Sequence, residues 1–394
     1  MEKEGLCRIC GQSNCKKHTF LFQNIKKISE FSGSSPPEIF VGRYDYPNVN
    51  IGILSPQEKG DMEILSSQEL WHKNKLKMPE IMNLRSKLIY GRTKSNIRKV
   101  LEKTKFISTM QEVAMTSKSI STEFKLQKPV IEKNREKDSY SPIINNAVMV
   151  KSVRLEENPI IKPKIEYLTN DTDVKSKIAI LELEKAKTPT STIIKILSAG
   201  LLGLGINRKL VPTRWAITAI DEMISKEKLK KIKHHPEITD IQLFTAEYLG
   251  NHYEFLLLPD KFSFEVTEIN NINPESSWHD YEGSFGRKTY ATSVTGAYYA
   301  NRLALCEYLE KMQRQASCLV FREIGSEYTQ SMGVGILRQI SREAFSKTPK
   351  KFSTINDALN KIQSRIKLPI SVFTEKSIIL KEYGKQKRLE NWFG

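Results

Sequence analysis

The chain has 394 residues, of which 62 are Lys or Arg and 45 are Asp or Glu, so its formal net charge is +17. Hydrophobic residues make up 39% and charged residues 27%, a composition that excludes an intrinsically disordered chain. No apolar run approaches the roughly 18 residues of a membrane span, and no apolar segment follows the charged N-terminus. These features predict a cytoplasmic protein of two or more domains, with no membrane contact and a polyanionic partner.

Three cysteines and a histidine are clustered at the N-terminus in the spacing C-x2-C-x4-C-x2-H. They are Cys7, Cys10, Cys15 and His18. Three thiolates and one imidazole complete the tetrahedral donor set of a structural site, which predicts a zinc knuckle over residues 1–20 and Zn as cofactor. A metal-free, redox-active terminus is one alternative, and a different fourth ligand is another. Lys16 and Lys17 are candidate DNA contacts, or solvated surface.

The pattern over the first half of the chain predicts both strands and helices. Residues 39–41 and 49–53 have the composition of short strands, and residues 96–115 have the spacing of an amphipathic helix. Prolines and a charged run over residues 119–175 predict an extended segment on the surface. Helical periodicity returns over residues 174–201, where the glycines favour a helix C-cap over a phosphate-binding loop.

A helix predicted over residues 216–233 ends in the densest basic cluster of the chain. Its candidate DNA-binding residues are Lys226, Lys228, Lys230, Lys231 and Lys233. Residues 241–249, 253–258 and 263–269 follow as three strands, which predicts an antiparallel meander.

The last third of the chain has a helix-strand-helix pattern. Helices are predicted over residues 295–316 and 333–345, with a buried strand over 318–321 between them. Four arginines and one glutamate of this part of the chain are candidate site residues: Arg287, Arg322, Glu323, Arg338 and Arg342. They either converge on a phosphate-bearing ligand or form an ion-pair network. Cys306 and Cys318 stand alone in apolar sequence, which predicts buried, reduced thiols.

The final nine residues contain the pattern Q-x2-L-x2-W-F. Its residues are Gln386, Leu389, Trp392 and Phe393. One helical turn would place the three apolar side chains on the same side, as in peptides that bind sliding clamps, and leave the glutamine for a polar pocket. The alternative is a tail that packs its aromatic side chains on its own domain.

Four sequence blocks carry a family resemblance. They span residues 40–47, 210–221, 286–303 and 322–328, and they closely resemble the archaeal Nre family. The resemblance implies a DNA repair factor that binds the sliding clamp PCNA and has an N-terminal metal site of four cysteines. This chain has His18 where the family has the fourth cysteine. The resemblance implies no particular reaction.

These observations together predict an α+β fold. It comprises the knuckle (1–20), an α+β domain with antiparallel strands (21–290), a helix-strand-helix region (291–378) and the tail (379–394). The leading hypothesis is a repair factor bound to DNA and to PCNA, and therefore associated with the nucleoid. One alternative is an adaptor without DNA contact. Another is a clamp-recruited enzyme that acts on nucleic acid or a nucleotide, with Arg43, Arg214, Asp221, Arg287, Arg322 and Glu323 as candidate catalytic residues.

Overall fold

The computed structural model describes residues 28–129 and 147–385, which divide into two compact units. The division falls between Ile220 and Asp221, and residues 330–335 belong to the first unit. Each unit combines a mixed sheet with helices, which confirms the α+β class. The predicted zinc knuckle and clamp motif lie outside the described residues, and the predicted domain boundary near residue 290 stays a prediction.

The first unit contains a six-stranded sheet in the order β1-β5-β6-β4-β3-β2. Its strands are β1 (Glu30–Ser35), β2 (Ile39–Val41), β3 (Asn48–Ser55), β4 (Ile89–Asn96), β5 (Ile120–Leu126) and β6 (Ala147–Leu155). Strands β4 and β6 pair in parallel, and the other neighbours are antiparallel. The strands predicted at residues 39–41 and 49–53 are confirmed.

Six α-helices of the first unit accompany this sheet. They are α1 (Gln68–Lys73), α2 (Met78–Ser86), α3 (Lys105–Met115), α4 (Pro163–Asn170), α5 (Ser176–Lys185) and α6 (Thr190–Ser198). Short 3-10 helices span Glu63–Leu65, Ile97–Glu102 and Gly205–Asn207. Helix α6 ends as predicted, because Gly200 has a φ of 72° and its N–H donates to the carbonyl of Leu197.

Two predictions for the first unit were wrong. The helix expected over residues 96–115 is interrupted, because Lys103 has a φ of 45° and Thr104 caps a new helix by accepting from the N–H of Ile107. Residues 119–129 and 147–175 do not form an extended surface stretch, since β6 lies inside the sheet between β5 and β4. In the sheet, the backbone N–H and C=O groups of β6 are hydrogen-bonded to the neighbouring strands. The prolines around this strand had instead suggested that these groups contact solvent.

The second unit has a sheet in the order β10-β9-β11-β8-β7-β12. Its strands are β7 (Ile241–Tyr248), β8 (Asn251–Leu258), β9 (Ser263–Asn270), β10 (Ser277–Glu282), β11 (Ser317–Ile324) and β12 (Lys350–Phe352). The three predicted strands are present, but they do not form a simple meander. Strand β11 lies between β8 and β9 and runs parallel to β9.

Helices cover both faces of this second sheet. They are α7 (Thr213–Ile232), which crosses the division between the units, α8 (Gly296–Met312), α9 (Val334–Ser346), α10 (Ile355–Gln363), α11 (Ser371–Thr374) and α12 (Ile378–Glu382). One face packs Leu319 and Phe321 against helices α10 to α12. The opposite face meets α8 and α9 through ring contacts of Phe264 with Tyr298 and of Phe255 with Phe345.

Cys306 and Cys318 lie on this opposite side of the sheet, fully buried and unpaired, as predicted. Burial raises the pKa of both thiols and so keeps them protonated and unreactive. In the part of the chain that the structure describes, no helix is both long and apolar enough to cross a bilayer.

Candidate nucleic-acid interface

A group of exposed aromatic side chains in the first unit comes from two segments that are far apart in the sequence. Tyr44 and Tyr46 lie in the turn between β2 and β3, and Trp215 lies in the first turn of α7. Their exposed fractions are 63%, 43% and 44%. The rings of Tyr46 and Trp215 are in contact, with centroids 5.1 Å apart and planes inclined by 54°. Each ring therefore presents part of its surface to solvent.

A hydrogen bond between a backbone N–H and a side-chain hydroxyl joins these two segments. The N–H of Val41 at the end of β2 donates to the hydroxyl of Thr213, the first residue of α7, at 3.0 Å. The turn itself is closed by a hydrogen bond from the N–H of Asn48 to the carbonyl of Asp45, at 2.8 Å. The buried hydrogen bond between Val41 and Thr213 thus fixes the position of Trp215 beside Tyr46.

Two arginines flank the aromatic rings. The guanidinium of Arg43 lies 4.9 Å from the centre of the Tyr44 ring, within the range of a cation–π contact. Arg214 precedes Trp215 on α7, and both arginines are half-buried. We refer to Arg43, Tyr44, Tyr46, Arg214 and Trp215 as the aromatic–arginine surface.

A run of basic side chains adjoins this surface. We call it the basic strip, and its members are exposed in every case: Lys94, Arg98, Lys99, Lys103 and Lys105. The N–H of Ile97, within the strip, donates to the carbonyl of Pro47 at 3.0 Å, which places the strip beside the tyrosine turn. Segments 43–47, 94–105 and 214–215 hold seven cationic side chains against two carboxylates, Asp45 and Glu102.

Both carboxylates of this region are paired within it. Asp45 contacts the ammonium of Lys94 at 2.9 Å, and Glu102 lies 3.9 Å from that of Lys99. All four side chains are more than half exposed, so solvent screens these pairs strongly. The region keeps a clear excess of positive charge.

The predicted lysine cluster of α7 has a different environment. Lys228 and Lys231 both pair with Glu310, and Lys226 and Lys230 pair with Glu222 and Glu227. The side chain of Lys228 is only 12% exposed. Carboxylates of the same unit therefore offset much of the positive charge of this cluster. The sequence alone had suggested that this charge could contact DNA.

Arg322 and Glu323 point to opposite faces of the second sheet, because neighbouring residues of a strand alternate. Arg322 donates to Glu268 at 2.7 Å and to the side-chain oxygen of Asn251. Glu323 accepts from the N–H groups of Lys367 and Leu368 on the other face, each at 3.0 Å. These two candidate catalytic residues therefore do not share a site.

Burial and charge act in opposite directions on Arg322. Burial alone would lower the pKa of its guanidinium, but the carboxylate of Glu268 together with the hydroxyls of Tyr253 and Tyr328 more than offsets that effect and raises the pKa. The group is also flanked by the rings of Tyr253 and Tyr328, whose centres lie 5.6 and 5.7 Å from it. Arg322 is thus a permanently charged, buried partner of Glu268.

The other arginines predicted as site residues in the last third, Arg287, Arg338 and Arg342, also have carboxylate partners in the second unit. Arg287 pairs with Asp280 at 2.8 Å and donates to the carbonyls of Tyr281, Thr289 and Tyr290, which organises the loop before α8. Asp221 binds Arg338 through two hydrogen bonds, of 3.0 and 2.7 Å, and Arg342 pairs with Glu307. This geometry favours the ion-pair network over convergence on one ligand.

The predicted site residues are therefore distributed as follows. Arg43 and Arg214 lie in the first unit, while Asp221, Arg287, Arg322 and Glu323 lie in the second. The metal ligands Cys7, Cys10, Cys15 and His18, the adjacent Lys16 and Lys17, and the clamp residues Gln386, Leu389, Trp392 and Phe393 lie outside the described residues. Over residues 28–129 and 147–385, no cluster of three or more His, Cys, Asp or Glu side chains could hold a metal.

Two features of this interface were missed from sequence. The basic strip from Arg98 to Lys105 was predicted as part of one amphipathic helix, and Tyr44 and Tyr46 were noted only within a block that carries the family resemblance. The available signals were the density of lysine and arginine over residues 94–105 and, elsewhere in the sequence, the two tyrosines beside Arg43. The contact of the tyrosine segment with α7 had no local sequence signal.

The fold and surface define a two-unit α+β protein with a basic, aromatic face on its first unit. Two family models match it: "Archaeal Nre, N-terminal" over residues 7–279 and "Archaeal Nre, C-terminal" over residues 282–392. The chain belongs to the archaeal Nre family.

Curated relatives match over most of their length. The chain is 32% identical to the DNA repair protein NreB of Archaeoglobus fulgidus, over 97% of this chain and 96% of that protein. It is 33% identical to the DNA repair protein NreA of the same organism, over 91% of each chain. It is 29% identical to the DNA repair protein NreA of Haloferax volcanii, over 90% of this chain and 88% of that protein. No solved structure shows significant similarity to the chain.

Proposed function

We propose that this protein is a DNA repair factor that binds DNA through its first unit and is recruited to the sliding clamp PCNA by its C-terminal motif. The relatives named DNA repair proteins support the repair role, since they align over nearly the whole chain. The observation that carries DNA binding is the basic strip beside the aromatic–arginine surface. Phosphate contacts by lysine and arginine supply most of the affinity of nonspecific DNA binding.

The clamp proposal rests on the pattern Q-x2-L-x2-W-F. Of the described residues, Tyr383 is the last that packs against the core of the second unit, and the structure describes the chain as far as Lys385. The motif begins at the next residue, Gln386. Deletion of residues 386–394 removes none of the described helices and strands, so we expect the truncated protein to retain DNA binding and lose PCNA binding. Isothermal titration with the PCNA of the source organism tests this, and unchanged PCNA affinity would refute the tail as the recruiting element.

The zinc knuckle is also a proposal. Three thiolates and one imidazole suit Zn²⁺, and the site would be structural because all four positions are filled by the protein. We expect one zinc per chain in purified protein, and loss of the metal in Cys10→Ser. His18→Cys should keep the metal and His18→Ala should weaken its retention, as measured by metal analysis after dialysis against a chelator. Zinc retained in full by His18→Ala would identify a different fourth ligand.

The salt dependence of DNA binding distinguishes the two lysine groups. Each phosphate contact contributes about 0.7 to 0.9 to the slope of log affinity against log salt concentration. We expect the pair Lys103→Gln and Lys105→Gln to reduce that slope by about 1.5. The matched pair on α7, Lys230→Gln and Lys231→Gln, should change it less, because both ammonium groups already contact carboxylates. A larger effect of the α7 pair would move the DNA contact to the second unit.

A further inference from the structure

The aromatic–arginine surface has a chemistry that the basic strip does not. Its three rings expose 43% to 63% of their surface, although burying such rings is among the largest hydrophobic gains a fold can make. Exposed aromatic groups next to polar residues commonly mark binding surfaces. The buried contact of Val41 with Thr213 holds Trp215 in place beside Tyr46. The rings are therefore presented by a fixed scaffold.

The charges around the rings select the class of partner. Seven cationic side chains against two carboxylates favour a polyanion, which is the chemistry of a phosphate backbone. Aromatic faces favour flat π systems, and every base can stack on them. In a duplex the faces of the bases are covered by their neighbours, so rings on a protein surface reach them only where strands are unpaired.

We infer that the aromatic–arginine surface binds single-stranded DNA by stacking unpaired bases on Trp215 and Tyr44 while the basic strip contacts the phosphates. The inference rests on the proposed DNA-binding function and names its substrate class. Arg43 contributes by holding the ring of Tyr44 through its cation–π contact and by adding charge at the stacking site.

Fluorescence anisotropy with the full chain tests this inference. The probes are labelled oligothymidylate of about 20 nucleotides and a duplex of equal length. Loss of one stacked base lowers affinity by about 5- to 150-fold, so Trp215→Ala and Tyr44→Ala should each weaken single-strand binding within that range. Their effect on the duplex should stay below about 2-fold, because the phosphate contacts of the strip remain. Trp215→Phe and Tyr44→Phe keep a ring and should retain most of the affinity.

Trp278→Ala is the matched control, since Trp278 is 38% exposed but lies on β10 of the second unit. It should leave both affinities unchanged. Tyr44 is the more exposed of the two stacking residues, so Tyr44→Ala keeps the test valid if Trp215→Ala fails to fold. Equal affinity of the wild type for both probes, or alanine variants that lose less than about 2-fold on the single strand, would overturn the stacking inference and leave DNA binding standing. A wild type that binds neither probe at low salt would overturn both.

Discussion

Replacing Trp392 and Phe393 together by alanine is expected to lower the affinity for PCNA by at least about 100-fold. Large aromatic anchors in a peptide bury about 150 to 250 Å² each, and truncating such an anchor commonly costs about 2 kcal/mol or more. Gln386→Ala should cost less, about 2- to 13-fold, because it removes one hydrogen bond rather than a buried ring. Surface plasmon resonance on immobilised PCNA measures both variants.

The control for this prediction lies inside the motif. Glu390 and Asn391 occupy positions that the pattern Q-x2-L-x2-W-F leaves unspecified. Alanine at both should therefore change PCNA affinity by less than about 3-fold, with the tail charge as the main source of any effect. If the aromatic variant and this control bind equally well, the motif reading is wrong. Single-strand DNA binding by the aromatic variant should match that of the wild type.

Asp221→Ala is expected to destabilise the second unit by about 3 to 5 kcal/mol. The substitution leaves the guanidinium of Arg338 buried without its partner, and the side chains of the pair are only 2% and 0% exposed. Burial raises the pKa of Asp221, while the charge and hydrogen bonds of Arg338 oppose that shift. The free energy of unfolding in urea measures the loss.

Two comparisons identify the cause of that loss. Adding Arg338→Met to Asp221→Ala removes the stranded charge, so the double variant should be more stable than Asp221→Ala alone. Glu307→Ala breaks the pair with Arg342, whose side chains are about 30% exposed, and should cost less than about 1 kcal/mol. A loss below about 1 kcal/mol for Asp221→Ala would contradict the buried pair as a stabilising element of this unit. Asp221 would then regain its place among candidate catalytic residues.

Short-range patterns predicted much of the secondary structure. Strands β2 and β3, helices α7 to α9 and the helix end at Gly200 were all read from alternation, helical spacing and glycine position. These signals are local, because side-chain periodicity and backbone preference act over a few residues. Where the local signal failed, at residues 119–175, long-range pairing with β4 decided the outcome.

The candidate sites also differ in whether local sequence is enough to predict them. Cysteine spacing and the C-terminal pattern are properties of a few consecutive residues, and the hypotheses they support need no tertiary information. The grouping of the arginines needs it. Strand alternation separates Arg322 from Glu323, and carboxylates 54 and 117 positions away pair with Arg322 and Arg338. No spacing rule in the sequence specifies those partners.

The net charge of +17 and the family blocks were readable from the sequence by itself; the blocks identified the family, and the charge predicts a polyanionic partner. Only the tertiary structure decided which parts of the surface keep more positive than negative side chains and can therefore attract a polyanion. It pairs the lysines of α7 with carboxylates and leaves the basic strip with an excess of cations. It also brings Trp215 to Tyr46, since the hydrogen bond beneath them joins residues 172 positions apart. Contacts over such separations depend on the packing of the whole unit, which no local pattern encodes.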